Sequence, residues 1–275
     1  MIRSVLNRLR LHRPSLRRLN PLVRRLGRFS WGLLCAALLA GLWQTAAAAQ
    51  APAQVRVAQL MPAAGLTVHS QPQAGNADPT VLADLSYQSL SDYQALPAGR
   101  YTLTVASSGQ TLLRATYGIG ASDRYTLALF GLVPESPQPN SRTAMARLKG
   151  ILGGVDAHAV NGYLPQMTLL RDRVSSQSQA PQVRLMHLAP GVVPLAMSLE
   201  GDSKSLVAKT LAYPNASEAL PAEGATRLAI ALPGQPTPLV TQPLDLKAQT
   251  LTTVFVAGGP AGSQPLAVVL AQPTP

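Results

Sequence analysis

The histidines are the residues whose types could support metal binding or acid–base catalysis, so their spacing decides whether such a site is expected. His69, His158 and His187 follow the N-terminal segment, and none lies three or four residues from another. Asp156 and His158 form the one close carboxylate–imidazole pair. Zinc sites usually need three or four ligands with paired spacings. The spacing therefore predicts no metal site.

Nucleophilic chemistry has no better support in the sequence. The chain has no Gly-x-Ser-x-Gly turn, which places the serine of many hydrolases, and Cys35 is its one cysteine. Other candidates are isolated carboxylate pairs and a fragment of a phosphate loop: Asp84 with Asp92, Glu200 with Asp202, and Gly118-x-Gly120. We interpret the carboxylates as solvated turn charges, and the glycine fragment lacks the helix and lysine that a phosphate loop needs. We expect no catalytic residue and no cofactor.

A repeated segment brings four other polar residues into corresponding positions. Val55–Pro62 matches Val183–Pro190 with four identical residues at an offset of 128. The alignment pairs Arg56 with Arg184 and Gln59 with His187. These four are the candidates for structural or ligand-contacting roles. Since His187 ends a predicted strand, its imidazole is expected to hydrogen-bond the backbone and fix the following turn.

The repeat continues along the chain and predicts strands in both copies. Further matches keep their order at offsets of 124 to 128: Leu85–Tyr87 with Leu211–Tyr213, Ala95–Gly99 with Ala219–Gly224, and Tyr125–Gly131 with Thr252–Gly258. Alternation in Arg100–Val105 indicates a half-buried strand. The residues expected to form the turns before such strands are Pro97, Gly99, Pro221 and Gly224.

These patterns predict an all-β fold of two tandem antiparallel β-sandwich (Ig-like) units. The first unit spans residues 50–133 and the second spans residues 182–275. A connector over residues 134–181 separates them. It is predicted to contain a short helix over residues 144–152, ended by Gly153-Gly154.

The N-terminal segment has the three parts of a secretory signal peptide. Nine arginines and no acidic residue lie in residues 1–28, an apolar run covers Phe29–Trp43, and small residues cover Ala46–Ala49. We expect export and cleavage after Ala49, with an uncleaved membrane anchor as the alternative. Lipid attachment at Cys35 and a twin-arginine signal have weaker support.

Removing residues 1–49 changes the argument from charge. The chain has 23 basic and 12 acidic residues, and nine of the basic ones precede residue 50. The remainder therefore has 14 (23 − 9) against 12, or +2. The high pI belongs to the targeting segment and does not indicate a nucleic-acid-binding face.

The segment Val183–Pro190, followed by Glu200-Gly201, resembles the start of the bacterial domain-of-unknown-function family forty-three ninety-seven. The steps Pro97–Tyr101 and Tyr125–Gly131 resemble it too, and the similarity extends over residues 55–260. Gln59 departs from the histidine of the family pattern. The resemblance implies secreted or envelope β-sandwich repeats with no established enzymatic activity.

We therefore expect a non-catalytic envelope or extracellular binding or scaffold protein, whose partner is an envelope protein or a polysaccharide. Membrane contact is expected only through the signal segment. Two alternatives remain: a periplasmic accessory protein of exopolysaccharide modification, and a hydrolase that uses a serine with His187.

Overall fold

The described residues of the computed structural model form strands, turns and loops. They are residues 51–63, 65–133, 163–174, 178–201, 205–258 and 265–272. The predicted signal peptide and the predicted helix over 144–152 lie outside these ranges. Residues Gln50–Pro275 form one compact unit. Within the described ranges, no helix has the length and hydrophobicity that crossing a membrane requires.

Within the described residues, nine strands build the first sandwich-like unit from two sheets. In chain order they are β1 (Ala53–Gln59), β2 (Leu66–Pro72), β3 (Thr80–Leu85), β4 (Ser89–Leu90), β5 (Gln94–Leu96), β6 (Gly99–Ser107), β7 (Gln110–Ile119), β8 (Arg124–Phe130) and β9 (Gln166–Arg171). The first inner sheet has the order β4-β1-β8-β9, with β5 also pairing with β1. The first outer sheet has the order β3-β2-β6-β7.

The second unit has the same plan, and its described part contains eight strands. They are β10 (Gln182–His187), β11 (Leu195–Glu200), β12 (Ser205–Leu211), β13 (Leu220–Pro221), β14 (Arg227–Ala231), β15 (Val240–Pro243), β16 (Leu251–Ala257) and β17 (Ala267–Ala271). The second inner sheet has the order β13-β10-β16-β17, and the second outer sheet has the order β12-β11-β14-β15. The prediction of an all-β fold is confirmed.

The central pair of each inner sheet is parallel, which corrects the expectation of purely antiparallel sheets. β1 runs parallel to β8 with Arg56 opposite Thr126, and β10 runs parallel to β16 with Arg184 opposite Thr253. In each unit the chain builds the outer sheet between these two strands, and such a long crossover allows a parallel return. Alternation of side chains reveals a strand but not its direction.

Three apolar clusters lie between four sheet layers. One fills the space between the first inner and outer sheets, and a second fills the equivalent space in the second unit. The third joins the two inner sheets and includes Leu60 and Ala128 with Leu188 and Phe255. We call the contact between the inner sheets the seam. Because the inner sheets are covered on both faces, β8 and β16 are buried along nearly their whole length.

The outer-sheet strands instead alternate between core and solvent. In β6, Tyr101, Leu103 and Val105 are buried, while Thr102 and Thr104 are half-buried on the other face. This is the pattern of a sheet that is covered on one side only. Each unit therefore presents one broad outer face.

The predicted connector contributes a strand to the first unit. β9 pairs with β8 along its full length, from Tyr125 opposite Arg171 to Phe130 opposite Gln166. The chain that links the two units is thus residues 172–181. This short link begins at Asp172, directly beside the seam.

Candidate functional site

Arg56 and Arg184 lie at the seam, in the equivalent positions that the repeat predicts. Arg56 is 2% exposed, which is rare for an arginine. Its Nε donates to Thr126 Oγ1 at 2.9 Å, and the Nε of Arg184 donates to Thr253 Oγ1 at 3.2 Å. The parallel pairing of each arginine strand with its threonine strand places the hydroxyl beside the guanidinium.

Each arginine then crosses the seam to the other unit. Arg56 donates from Nη1 to Gln272 O at 2.5 Å and from Nη2 to Ala271 O at 3.0 Å, at the end of β17. Arg184 donates from Nη1 to Arg171 O at 3.3 Å, at the end of β9. The contacts are reciprocal, since β9 and β17 are equivalent strands. The two units are therefore related by an approximate two-fold axis.

Asp172 breaks this symmetry, because one carboxylate serves both guanidiniums. Its side chain is 3% exposed. Oδ1 lies 3.2 Å from Nη2 of Arg184, and Oδ2 lies 3.7 Å from Nη2 of Arg56. Oδ2 also accepts hydrogen bonds from Thr126 Oγ1 at 2.5 Å and from the Tyr93 hydroxyl at 3.0 Å. The guanidinium carbon of Arg56 lies 4.5 Å from the centroid of the Tyr93 ring.

The pKa values of the cluster reflect two opposing effects, burial and the charge of the Asp172 carboxylate. Burial lowers the pKa of Arg56 and of Arg184, and the Asp172 carboxylate opposes that shift in both. Burial also raises the pKa of Tyr93, with the neighbouring Asp172 acting in the same direction. Tyr93 is therefore a neutral phenol that donates to Asp172. The cluster holds charge in place and exposes no reactive group.

His187 and Gln59 both hydrogen-bond the backbone just after their strands. Both are fully buried. Gln59 donates from Nε2 to Met61 O at 3.0 Å and accepts from Met61 N at 2.9 Å. In the second unit, Nδ1 of His187 accepts from Ala189 N at 3.4 Å, and Nε2 lies 3.2 Å from Val193 O. Because Nδ1 accepts, Nε2 carries the proton and donates to Val193.

Burial lowers the pKa of His187, and the hydrogen bonds to Val193 and Val192 oppose that shift. The imidazole also lies edge-on to Tyr213, with ring centroids 6.4 Å apart. Tyr213 contacts Phe130 of the first unit across the seam at 6.2 Å, and burial raises its pKa to about 12. His187 thus belongs to a buried structural cluster, and no serine hydroxyl is among its hydrogen-bond partners in the described residues.

The predicted turn residues occupy less uniform positions than the repeat suggests. Pro97 accepts a hydrogen bond from the Tyr101 hydroxyl at 3.0 Å, while Gly99 already belongs to β6. Pro221 ends β13 opposite Gln182, where an edge strand tolerates a residue that lacks an N–H. Gly224 has a φ of 74° in the turn that follows.

Sequence reasoning identified the two arginines but missed their acceptors. Asp172 and Tyr93 lie in stretches that carry no repeat match. Thr126 and Thr253 do align within the repeat, and two aligned threonines in the strands after two aligned arginines are a signal from which this contact could have been predicted. The crossing to β9 and β17 needs the tertiary structure.

The described residues bring no set of metal ligands together. They contain no group of three His, Cys, Asp or Glu side chains that could hold a metal ion. A small hollow in the second unit is lined by Asp245, Lys247, Thr250, Thr252 and Gln272.

Comparison with known proteins agrees with the resemblance over the first unit. No curated protein matches the chain. A family model matches residues 53–143, which begin at β1 and include every strand through β8. The resemblance predicts similarity as far as residue 260, and the matched segment is the first part of that range. Residues 53–143 of this chain thus match the family described as Domain of unknown function (DUF4397).

Proposed function

We propose that this chain is an exported, non-catalytic binding or scaffold module of the cell envelope, in which two β-sandwich units act as one rigid body. The observation that carries the proposal is the seam. Reciprocal arginine contacts and a shared apolar cluster fix the two units against each other. A fixed pair of units presents its two outer faces at constant separation and orientation.

The distribution of polar chemistry supports a binding role over a catalytic one. Arg56, Arg184, Asp172 and His187 are used in hydrogen bonds that hold the seam or a turn. Catalysis needs such groups beside a cleft that admits substrate. Binding by a scaffold needs only stable surfaces, which the outer sheets provide.

The N-terminal segment supports export. Its basic start, apolar run and Ala-x-Ala site have the order of a secretory signal. Export would deliver residues 50–275, which form one compact unit. The absence of cysteine from that part means that its stability comes from burial and not from disulfides.

A pull-down from cell-envelope extract tests the proposal. The bait is residues 50–275, shown to be folded by circular dichroism, and the matched control is an unrelated periplasmic β-sandwich of similar size. We expect specific recovery of a polysaccharide or an envelope protein. The proposal is wrong if the folded bait recovers nothing above the control and instead hydrolyses an ester substrate in a reaction that His187→Gln abolishes.

A further inference from the structure

The outer face of the first unit carries a positively charged surface, in which arginine side chains lie beside threonine hydroxyl groups. Two rows of outward residues cross β2, β6 and β7. One row is His69, Thr104 and Arg114, and the next is Gln71, Thr102 and Thr116. Arg100 continues the outward positions of β6 beyond Thr102. We call these seven residues the polar face.

The two arginines of the polar face have no compensating carboxylate. Among the described residues, neither Arg100 nor Arg114 forms an ion pair, and both are exposed. No acidic residue occupies the outward positions of the two rows. Asp84 lies one row further along the face, where it accepts a hydrogen bond from Thr67. The polar face is therefore locally positive, although the body as a whole is close to neutral.

The spacing of the cations suits an extended ligand. Arg100 and Thr104 are four residues apart on β6, or roughly 13 Å, and Arg114 is opposite Thr104 on the neighbouring strand, about 4.8 Å away. Thr102 and Thr116 lie between the two guanidiniums, with Gln73 Nε2 donating to both hydroxyls. A chain lying diagonally across β6 and β7 would meet a cation, then hydroxyl and amide groups, then a second cation.

The second unit supplies an internal comparison, since its outer face has the same backbone plan and different chemistry. The row equivalent to His69, Thr104 and Arg114 is Ser198, Ala229 and Thr241. Arg227 occupies the position equivalent to Thr102, and Glu200 neutralises it, accepting from Nε at 2.9 Å and from Nη2 at 2.6 Å. The unpaired positive charge is thus a property of the first unit's face.

From these observations we propose that the polar face binds an acidic polysaccharide. The cations match carboxylate groups on the polymer, and the threonine and glutamine side chains match sugar hydroxyls. A protein partner fits less well, because protein interfaces rely on clustered apolar and aromatic anchors, whereas the two rows end in a single exposed apolar residue, Val81 of β3, beside His69. This inference rests on the proposed binding function and names the class of ligand.

Binding of residues 50–275 to immobilised polygalacturonate tests the inference, with neutral dextran and polyglutamate as the comparison polymers. We expect binding to polygalacturonate that weakens as ionic strength rises, because surface charges are screened over about 8 Å at 0.15 M salt. Binding to dextran should be absent. Arg100→Gln and Arg114→Gln should each weaken binding by about two- to fivefold.

Arg227→Gln is the matched control, because it removes an arginine from the equivalent face where Glu200 already neutralises it. Its affinity for polygalacturonate should equal that of the unaltered protein. Absence of binding, or equal losses for Arg114→Gln and Arg227→Gln, would overturn the inference. Equal affinity for polyglutamate would also overturn it, since charge alone would then suffice. Recovery of another envelope partner in the pull-down would leave the proposed function standing in each case.

Discussion

At the scale of single residues, the buried imidazole of His187 and the buried amide of Gln59 make equivalent hydrogen bonds to the backbone, but only the imidazole can be protonated. Both fix the backbone just beyond a strand through one donated and one accepted hydrogen bond. Protonation would turn Nδ1 of His187 from acceptor into donor and place it against the N–H of Ala189. The amide of Gln59 does not titrate, so only the second unit is sensitive to acid at this position.

His187→Gln should therefore make the stability of the protein less sensitive to mild acid. Burial holds the pKa of His187 below its ordinary value of 6.5, so the unfolded chain binds the proton more readily than the folded protein. The stability that this histidine contributes is complete above pH 6.5 and falls as the pH drops from there toward the folded pKa. Urea unfolding at a series of pH values across this range should show that the free energy of unfolding falls less steeply toward low pH in the variant than in the unaltered protein.

His69→Gln is the control for that experiment, because it replaces a partly exposed imidazole of the outer sheet. If the free energy of unfolding of His187→Gln fell with pH as steeply as that of the unaltered protein, the acid sensitivity would not come from this turn.

At the scale of elements, the end of β8 and the approach to β9 are held in close contact by Gly131. Gly131 has a φ of 101°, and a Cβ placed there would collide with the carbonyl of Leu164. Gly258 is its equivalent after β16, where a Cβ would meet Cδ2 of Leu266 at 3.1 Å. The first contact involves rigid backbone and the second involves the end of a flexible side chain.

Gly131→Ala should consequently destabilise the protein much more than Gly258→Ala. We expect the free energy of unfolding to fall by roughly 3 kcal/mol for Gly131→Ala, from the strained φ together with the backbone collision. The loss for Gly258→Ala should be about 1 kcal/mol. Urea titrations of both variants measure the difference, and equal losses would show that the backbone of Leu164 can move aside.

Elements also show what sequence could predict. The sequences of β6 and β8 are sufficient to predict strands. Residues alternate between apolar and polar in β6, whose sheet is covered on one face, and are mostly apolar in β8, whose sheet is covered on both. β9 was assigned to a connector instead, since Gln166–Arg171 has no counterpart in the repeat alignment and follows a long loop. Its place in the sheet depends on pairing with β8, and the burial of β9 shows no alternation, because its four central residues are all half-buried between two exposed ends.

At the scale of the whole molecule, Asp172 couples the two units through charge. Two nearly buried guanidiniums share this carboxylate, and the remaining donors reach backbone carbonyls across the seam. Removing one member of such a cluster leaves the others buried without compensation, which costs more than the intact cluster contributes. The candidate arginines were predictable from the repeat, but this coupling was not, because Asp172 lies outside it.

Asp172→Ala should lower the free energy of unfolding by about 3–5 kcal/mol and separate the two units in calorimetry. The unaltered protein should unfold in one transition, with equal calorimetric and van 't Hoff enthalpies, and the variant in two. Asp123→Ala is the control, because Asp123 pairs with an Arg171 side chain that is 50% exposed, and its loss should stay below about 1 kcal/mol. A single transition in Asp172→Ala would show that the apolar cluster alone couples the units.

The reciprocal crossing of Arg56 and Arg184 is the contact pattern of a symmetric homodimer, in which residue i of each subunit meets residue j of the other. Here both halves lie on one chain, so a substitution in one half leaves the other half unchanged, whereas in a homodimer every substitution appears twice. The two outer faces can therefore carry different chemistry above one common seam: arginines without ion pairs among threonines on the first, and a neutral Arg227–Glu200 pair on the second.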